Sequence, residues 1–157
     1  MKKGFSLVEI LVSIAIITIL SGFGIQAFAT AQQRARLEED VATVVQAIRK
    51  AQNSALAPSK SETGVSDTDK LCSMGVEING SNIKQFYTIT PSPPTCGSSI
   101  NYGTSRQLKY SNITPSNIKF EFTIPFANVS TGSSITIQNG GLSKTVEVTN
   151  SGLIKVQ

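Results

Sequence analysis

Met1-Lys2-Lys3-Gly4-Phe5-Ser6-Leu7-Val8-Glu9-Ile10-Leu11-Val12 opens the chain, and the polarity of the residues beyond it constrains the fold. From Ile10 to Gln33 there is no charged residue. The run Ile10–Ile25, continued more weakly by Ala27, Phe28 and Ala31, is long enough to cross a bilayer core of about 30 Å as a helix. Lys2 and Lys3 precede it, which keeps the N-terminus in the cytoplasm and sends the remainder outward. Charge returns at Arg34, but the helical pattern continues. Leu37, Val41, Val44 or Val45, Ile48 and Ala51 or Ala55 recur at three-four spacing, which marks one buried stripe. Glu38, Glu39, Asp40, Arg49 and Lys50 fall mostly on the other faces. No proline occurs before Pro58, a natural stop. One helix from Phe5 to Leu56 is therefore expected, apolar all round at first and amphipathic later.

The second half changes period. Ile118, Phe120, Phe122, Ile124 and Phe126 alternate with Lys119, Glu121, Thr123 and Pro125, as a half-buried strand requires, with Pro125 marking its end or a sheet edge. Ile135–Gln138, Lys144–Thr149 and Leu153–Val156 are shorter strands. Asn139-Gly140-Gly141 and Asn150-Ser151-Gly152 provide the turns of a C-terminal meander. Val76–Ile78 and Ile83–Thr90 form an earlier hairpin around Asn79-Gly80-Ser81. Ser59–Asp69 and Pro91–Ser105 read as loops. The fold class is thus α+β: a long N-terminal helix packed on an antiparallel β head, a small two-sheet sandwich.

Composition narrows the functional classes. The 157 residues suit one globular domain plus an appendage. There is no histidine, which removes the usual general base and the commonest metal ligand. Two cysteines alone cannot build a structural zinc site. No phosphate loop or nucleophile–base motif occurs either, so neither an enzyme nor a cofactor or metal protein is expected. Of the net charge of +4, Lys2 and Lys3 supply half, leaving 12 basic and 10 acidic residues in the rest. That is weak support for a nucleic-acid partner. Lys109-Tyr110 and Lys84–Tyr87 mix cations with aromatics as a DNA-binding surface does, but such pairs are more often ordinary strand exteriors. If the polar half is exported, a disulfide between Cys72 and Cys96 is expected, stabilising by roughly 3–4 kcal/mol in the chain-entropy picture; the alternative is two buried thiols.

Gly4, Phe5 and Glu9 are the informative residues. A basic leader ending in Gly, then Phe, then Glu four residues on, at the start of an apolar run, resembles the prepilin motif of the type IV filament superfamily of pilins, type II secretion pseudopilins and competence pilins. The resemblance is tight over roughly the first 30 residues. It implies that a membrane peptidase, the prepilin peptidase, cuts between Gly4 and Phe5 and methylates the new Phe5 amine. Losing Lys2 and Lys3 removes two charges that resist leaving the cytoplasmic face. It implies further that Glu9 pairs with the Phe5 amine of a neighbouring subunit. A carboxylate deep in a membrane helix costs about 2.5–3.5 kcal/mol, so it needs a partner; otherwise it lies at the lipid–water boundary. A secretory signal cleaved at Ala27-Phe28-Ala29 or Ala29-Thr30-Ala31 fits the composition too. Glu9 and the continuing amphipathic helix argue against it.

The expected organisation is a leader at 1–4, a transmembrane and filament-core segment at 5–33, an amphipathic segment at 34–57 and a β-rich head at 58–157. The head resembles the H-type minor pseudopilins, in which two small antiparallel sheets pack on the helix. The implied function is a structural subunit of a type IV pilus-like filament or type II secretion pseudopilus. The alternative is a competence or tip pilin whose head binds DNA or a surface. Implied partners are other pilin or pseudopilin subunits, the peptidase and an inner-membrane assembly platform. The implied location is a single-pass inner-membrane anchor, with the head exported, and then a periplasmic or extracellular filament. Many family members have a proline near position 26, where this chain has Gln26. Gly22 and Gly24 stand just before it and either loosen the helix or allow close packing.

Overall fold

A computed structural model of the chain describes residues 6–59, 71–89, 96–97, 99–129 and 133–157, with the side chains of 23–26 outside that description. Most of the Ser59–Asp69 stretch read as a loop, and residues 91–95 and 98 of the Pro91–Ser105 stretch, therefore lie outside the described residues, as do Lys2, Lys3, Gly4 and Phe5.

Helix α1 runs from Leu7 to Leu56, 50 residues. Its first backbone bonds run from the Glu9 and Ile10 N–H groups to the Ser6 carbonyl, at 3.0 and 3.3 Å. The backbone stays helical through Gly22, Gly24 and Gln26. The last bond, Ala57 N–H to the Asn53 carbonyl at 3.0 Å, is followed by Pro58, which has no N–H to continue the ladder. By contacts the chain divides into two compact units, residues 1–35 and 36–157, so α1 contributes to both.

Among its described residues the second unit contains eight strands. These are β1 (Leu71–Asn79), β2 (Asn82–Ile89), β3 (Ser99–Gln107), β4 (Asn112–Thr114), β5 (Asn117–Thr123), β6 (Ser133–Asn139), β7 (Leu142–Val148) and β8 (Ile154–Val156). They form two four-stranded sheets, ordered β3-β2-β1-β5 and β4-β6-β7-β8, with every pairing antiparallel. The β1–β2 and β6–β7 hairpins turn at Gly80-Ser81 and Gly140-Gly141, as expected from the Asn-Gly pairs. Gly80 and Gly140 take φ of +57° and +62°, which costs a glycine nothing.

One core joins all three layers. Leu37, Val41, Val44, Ile48, Ala51 and Ala55 of α1 are buried, and they share a cluster with Met74, Val76, Phe120 and Phe122 of the first sheet and Ile135, Ile137, Val146 and Val148 of the second. Burying each larger side chain stabilises by about 1.5–3 kcal/mol. At Gly75 the first sheet leaves no room for a side chain. A methyl there would strike the Phe120 carbonyl oxygen on the neighbouring strand and the Phe86 ring that lies over it.

Three expectations need correction. The Ile118–Phe126 strand ends at Thr123, because the Ala127 N–H bonds the Thr123 carbonyl at 2.7 Å and closes a turn. Phe126, read as core-facing, is therefore 75 % exposed. Second, the stretch read as a loop to Ser105 contains β3, paired with β2 from Thr88↔Ser99 to Asn82↔Gln107. This edge strand is exposed along nearly its whole length, so no apolar alternation marked it. Third, Asp40 does not lie on the solvent face of α1 but is only 2 % exposed. Its carboxylate accepts the backbone N–H groups of Lys109 (3.2 Å) and Tyr110 (3.0 Å), which replace the water lost on burial.

Candidate functional site

The sequence places the functional residues at the start of the chain. Of these, the structure describes Glu9, an exposed residue in the first turn of α1. A carboxylate is favoured there by the unpaired N–H groups and positive end of the helix dipole. Around it, Leu7, Val8, Ile10, Leu11 and Val12 are all exposed. The pattern persists to Leu20, and none of the most apolar 18-residue window is buried. This is the one helix among the described residues long and apolar enough to cross a membrane. So much contiguous apolar surface is not stable facing water; it requires lipid or other helices.

The hydroxyls in this segment are satisfied internally. Ser13 donates to the Glu9 carbonyl (2.8 Å), Thr18 to Ile14 (2.7 Å) and Ser21 to Ile17 (2.7 Å). Each bond reaches back one turn on the same helix, the arrangement an apolar medium demands of a polar side chain. Glu9 differs from them, since no side chain within reach on its own helix carries a positive charge.

In the second unit, Cys72 and Cys96 are joined by a disulfide, with Cα atoms 5.8 Å apart. It ties β1 to the segment that follows β2, and it fits an oxidising compartment. Of the two cation–aromatic stretches, Lys109-Tyr110 is bound to α1 and Tyr87 is buried, while Lys84 is exposed. Lys109 Nζ pairs with Glu39 at 3.2 Å, and the Arg36 guanidinium lies 5.0 Å from the centroid of the Tyr110 ring. The Glu39 hydrogen bond and charge hold the Lys109 ammonium above the usual lysine range. Tyr87 is buried beside Tyr102, with ring centroids 5.7 Å apart. Arg36, Glu39 and Asp40 thus fasten the β3–β4 connection to α1. Sequence reasoning missed this clasp, because its contacts span about 70 residues and have no local signature.

Residues 1–25 match a family model described as the prokaryotic N-terminal methylation motif. That match, over 25 of the 157 residues, is consistent with a type IV pilin-like protein, the group that includes pilins and pseudopilins. The motif and the apolar helix fit a membrane-anchored pilin processed by prepilin peptidase. No curated protein and no solved structure matches the chain. The H-type likeness of the head accordingly has no support beyond the two-sheet arrangement itself.

Proposed function

We propose that the chain is a structural subunit of a type IV pilus-like filament or type II secretion pseudopilus. Residues 1–4 are the leader, 5–33 the membrane and filament-core segment, 34–57 the amphipathic part of the helix and 58–157 the head. The peptidase cuts between Gly4 and Phe5, removing Lys2 and Lys3, and the Phe5 amine is methylated. The subunit waits in the inner membrane with its head exported, then passes through the assembly platform into a filament. Within the filament, Glu9 meets the Phe5 amine of an adjacent subunit.

The observation that carries this reading is a lone carboxylate, Glu9, in the first turn of an apolar and unburied helix, inside a matched methylation motif. Leaving a carboxylate unpaired in lipid costs about 2.5–3.5 kcal/mol. A partner amine at the same depth removes that cost and sets how far one helix is displaced along its neighbour. The test is mass spectrometry of the exported protein. Methylated Phe5 should be its first residue, and loss of the peptidase should leave the four leader residues attached and the chain unassembled. An intact N-terminus in a wild-type background, or a first residue beyond Ala27, overturns the proposal.

A further inference from the structure

A small cavity lies between the C-terminal half of α1 and the β2–β3 edge of the first sheet. Its volume is 120 Å³, and its polar lining comes from Gln46 and Lys50 of α1, Gln85 of β2, and Thr104 and Arg106 of β3. No carboxylate among the described residues lines it. Among the described residues, neither Lys50 nor Arg106 has an ion-pair partner, whereas Lys109, Lys119 and Lys144 pair with Glu39, Glu77 and Glu38. Two cations that border one recess repel each other across water. An anion between them reverses the sign of that interaction.

The backbone of β3 is shaped for this recess. Gln85 pairs with Tyr102 and Ile83 with Arg106, so β3 spends four residues where β2 spends two. The two-residue excess is a bulge that opens at Gly103, whose φ is +70°. A regular β3 would bring different side chains to these positions; with the bulge, Thr104 and Arg106 both line the recess facing Gln46 and Lys50. Gln46 and Lys50 also border an open groove of 510 Å³ that continues to Arg49, so the positive field extends beyond the recess.

We propose that this recess binds an oxyanion, a terminal carboxylate or phosphate group, held by Arg106 and Lys50 with donors from Gln46, Gln85 and Thr104. The guanidinium fork matches two oxygens of either group, and the ammonium adds a point charge. At 120 Å³ the space is well below that of a whole small-molecule site, so it admits the charged end of a ligand and little more. This site does not depend on filament assembly.

The probes are inorganic phosphate and acetate, titrated separately into the isotope-labelled full chain in detergent micelles, with chloride at matched ionic strength as control. The Arg106 side-chain Nε–H and Thr104 amide resonances should shift and saturate, with a dissociation constant on the order of 1 mM. Tighter binding of phosphate assigns a phosphate ligand, and tighter binding of acetate a carboxylate one. The double variant Lys50→Gln with Arg106→Gln should weaken binding at least tenfold, whereas Lys155→Gln should leave it unchanged. Lys50 and Arg106 are both exposed, so the fold tolerates their replacement. Arg106→Lys, which keeps the charge but not the fork, should bind with intermediate affinity. Shifts that never saturate, that chloride reproduces, or that persist in the double variant overturn the proposal.

Discussion

Replacing Asp40 by alanine separates two readings of the same residue. As a solvent-facing aspartate within a helix, it would be neutral or slightly stabilising to replace, since alanine favours helix by up to about 0.7 kcal/mol. The structure predicts the opposite sign. Asp40 is 2 % exposed and receives the backbone N–H groups of Lys109 and Tyr110 at 3.2 and 3.0 Å. Without the carboxylate, each donor is left without its partner, at a cost of about 1–3 kcal/mol. Set against the helix gain and the relief of burying a charge, the net loss should be about 2–4 kcal/mol. Asp40→Asn should fall between, because the amide oxygen can accept from one N–H while its NH₂ group opposes the other. The assay is urea unfolding of residues 36–157, whose core is self-contained, followed by far-ultraviolet circular dichroism with Tyr fluorescence as a second probe. An Asp40→Ala midpoint equal to or above the parent's would refute the argument.

Gly75→Ala should prevent stable folding of the head or cost several kcal/mol, because one obstruction is backbone, the Phe120 carbonyl, and backbone cannot turn aside; thermal unfolding beside Gly141→Ala, where the space is open, checks this. Reducing Cys72–Cys96 should lower stability by about 3.5 kcal/mol, read as a shift in denaturant midpoint with and without reductant. The Lys109 pKa lies above its unfolded value, so the stabilisation from its Glu39 contact is complete below about pH 10.4 and lost as pH rises through the folded pKa. Nuclear magnetic resonance titration of the Lys109 side chain should give a value that falls towards the ordinary one in Glu39→Gln. Glu9→Leu should insert into membranes at least as well as the parent yet fail to assemble, as seen by comparing membrane and sheared-filament fractions; normal polymerisation would remove the proposed pairing.

What could be read from the residues alone follows the range of the forces involved. The helix was legible because periodicity, an absent proline and the Pro58 stop are local. The hairpins at Gly80 and Gly140 were legible because turn chemistry is local too. Strand β5 was visible through its Phe120 and Phe122 alternation, and Pro125 marked its end to within two residues, but the turn that closes at Thr123 and Ala127 leaves no mark in hydropathy. Strand β3 escaped notice because its residues are held by backbone bonds to β2 and have almost no buried face. Asp40 was misplaced for a related reason. Helical spacing says which face a residue occupies, but not whether two distant N–H groups are waiting there. The N-terminal motif was readable because its residues are contiguous in the chain. The basic recess needed the bulge at Gly103, which only the strand register exposes.

The three back-bonded hydroxyls of α1 bear on how such a helix changes surroundings. Ser13, Thr18 and Ser21 carry their acceptors with them, so leaving acyl chains for a bundle of neighbouring helices neither breaks nor creates a bond for any of them. Transfer between the two media is then nearly indifferent along most of the rod. On the proposed assembly, the free-energy difference would be concentrated at Glu9, near the end of the rod.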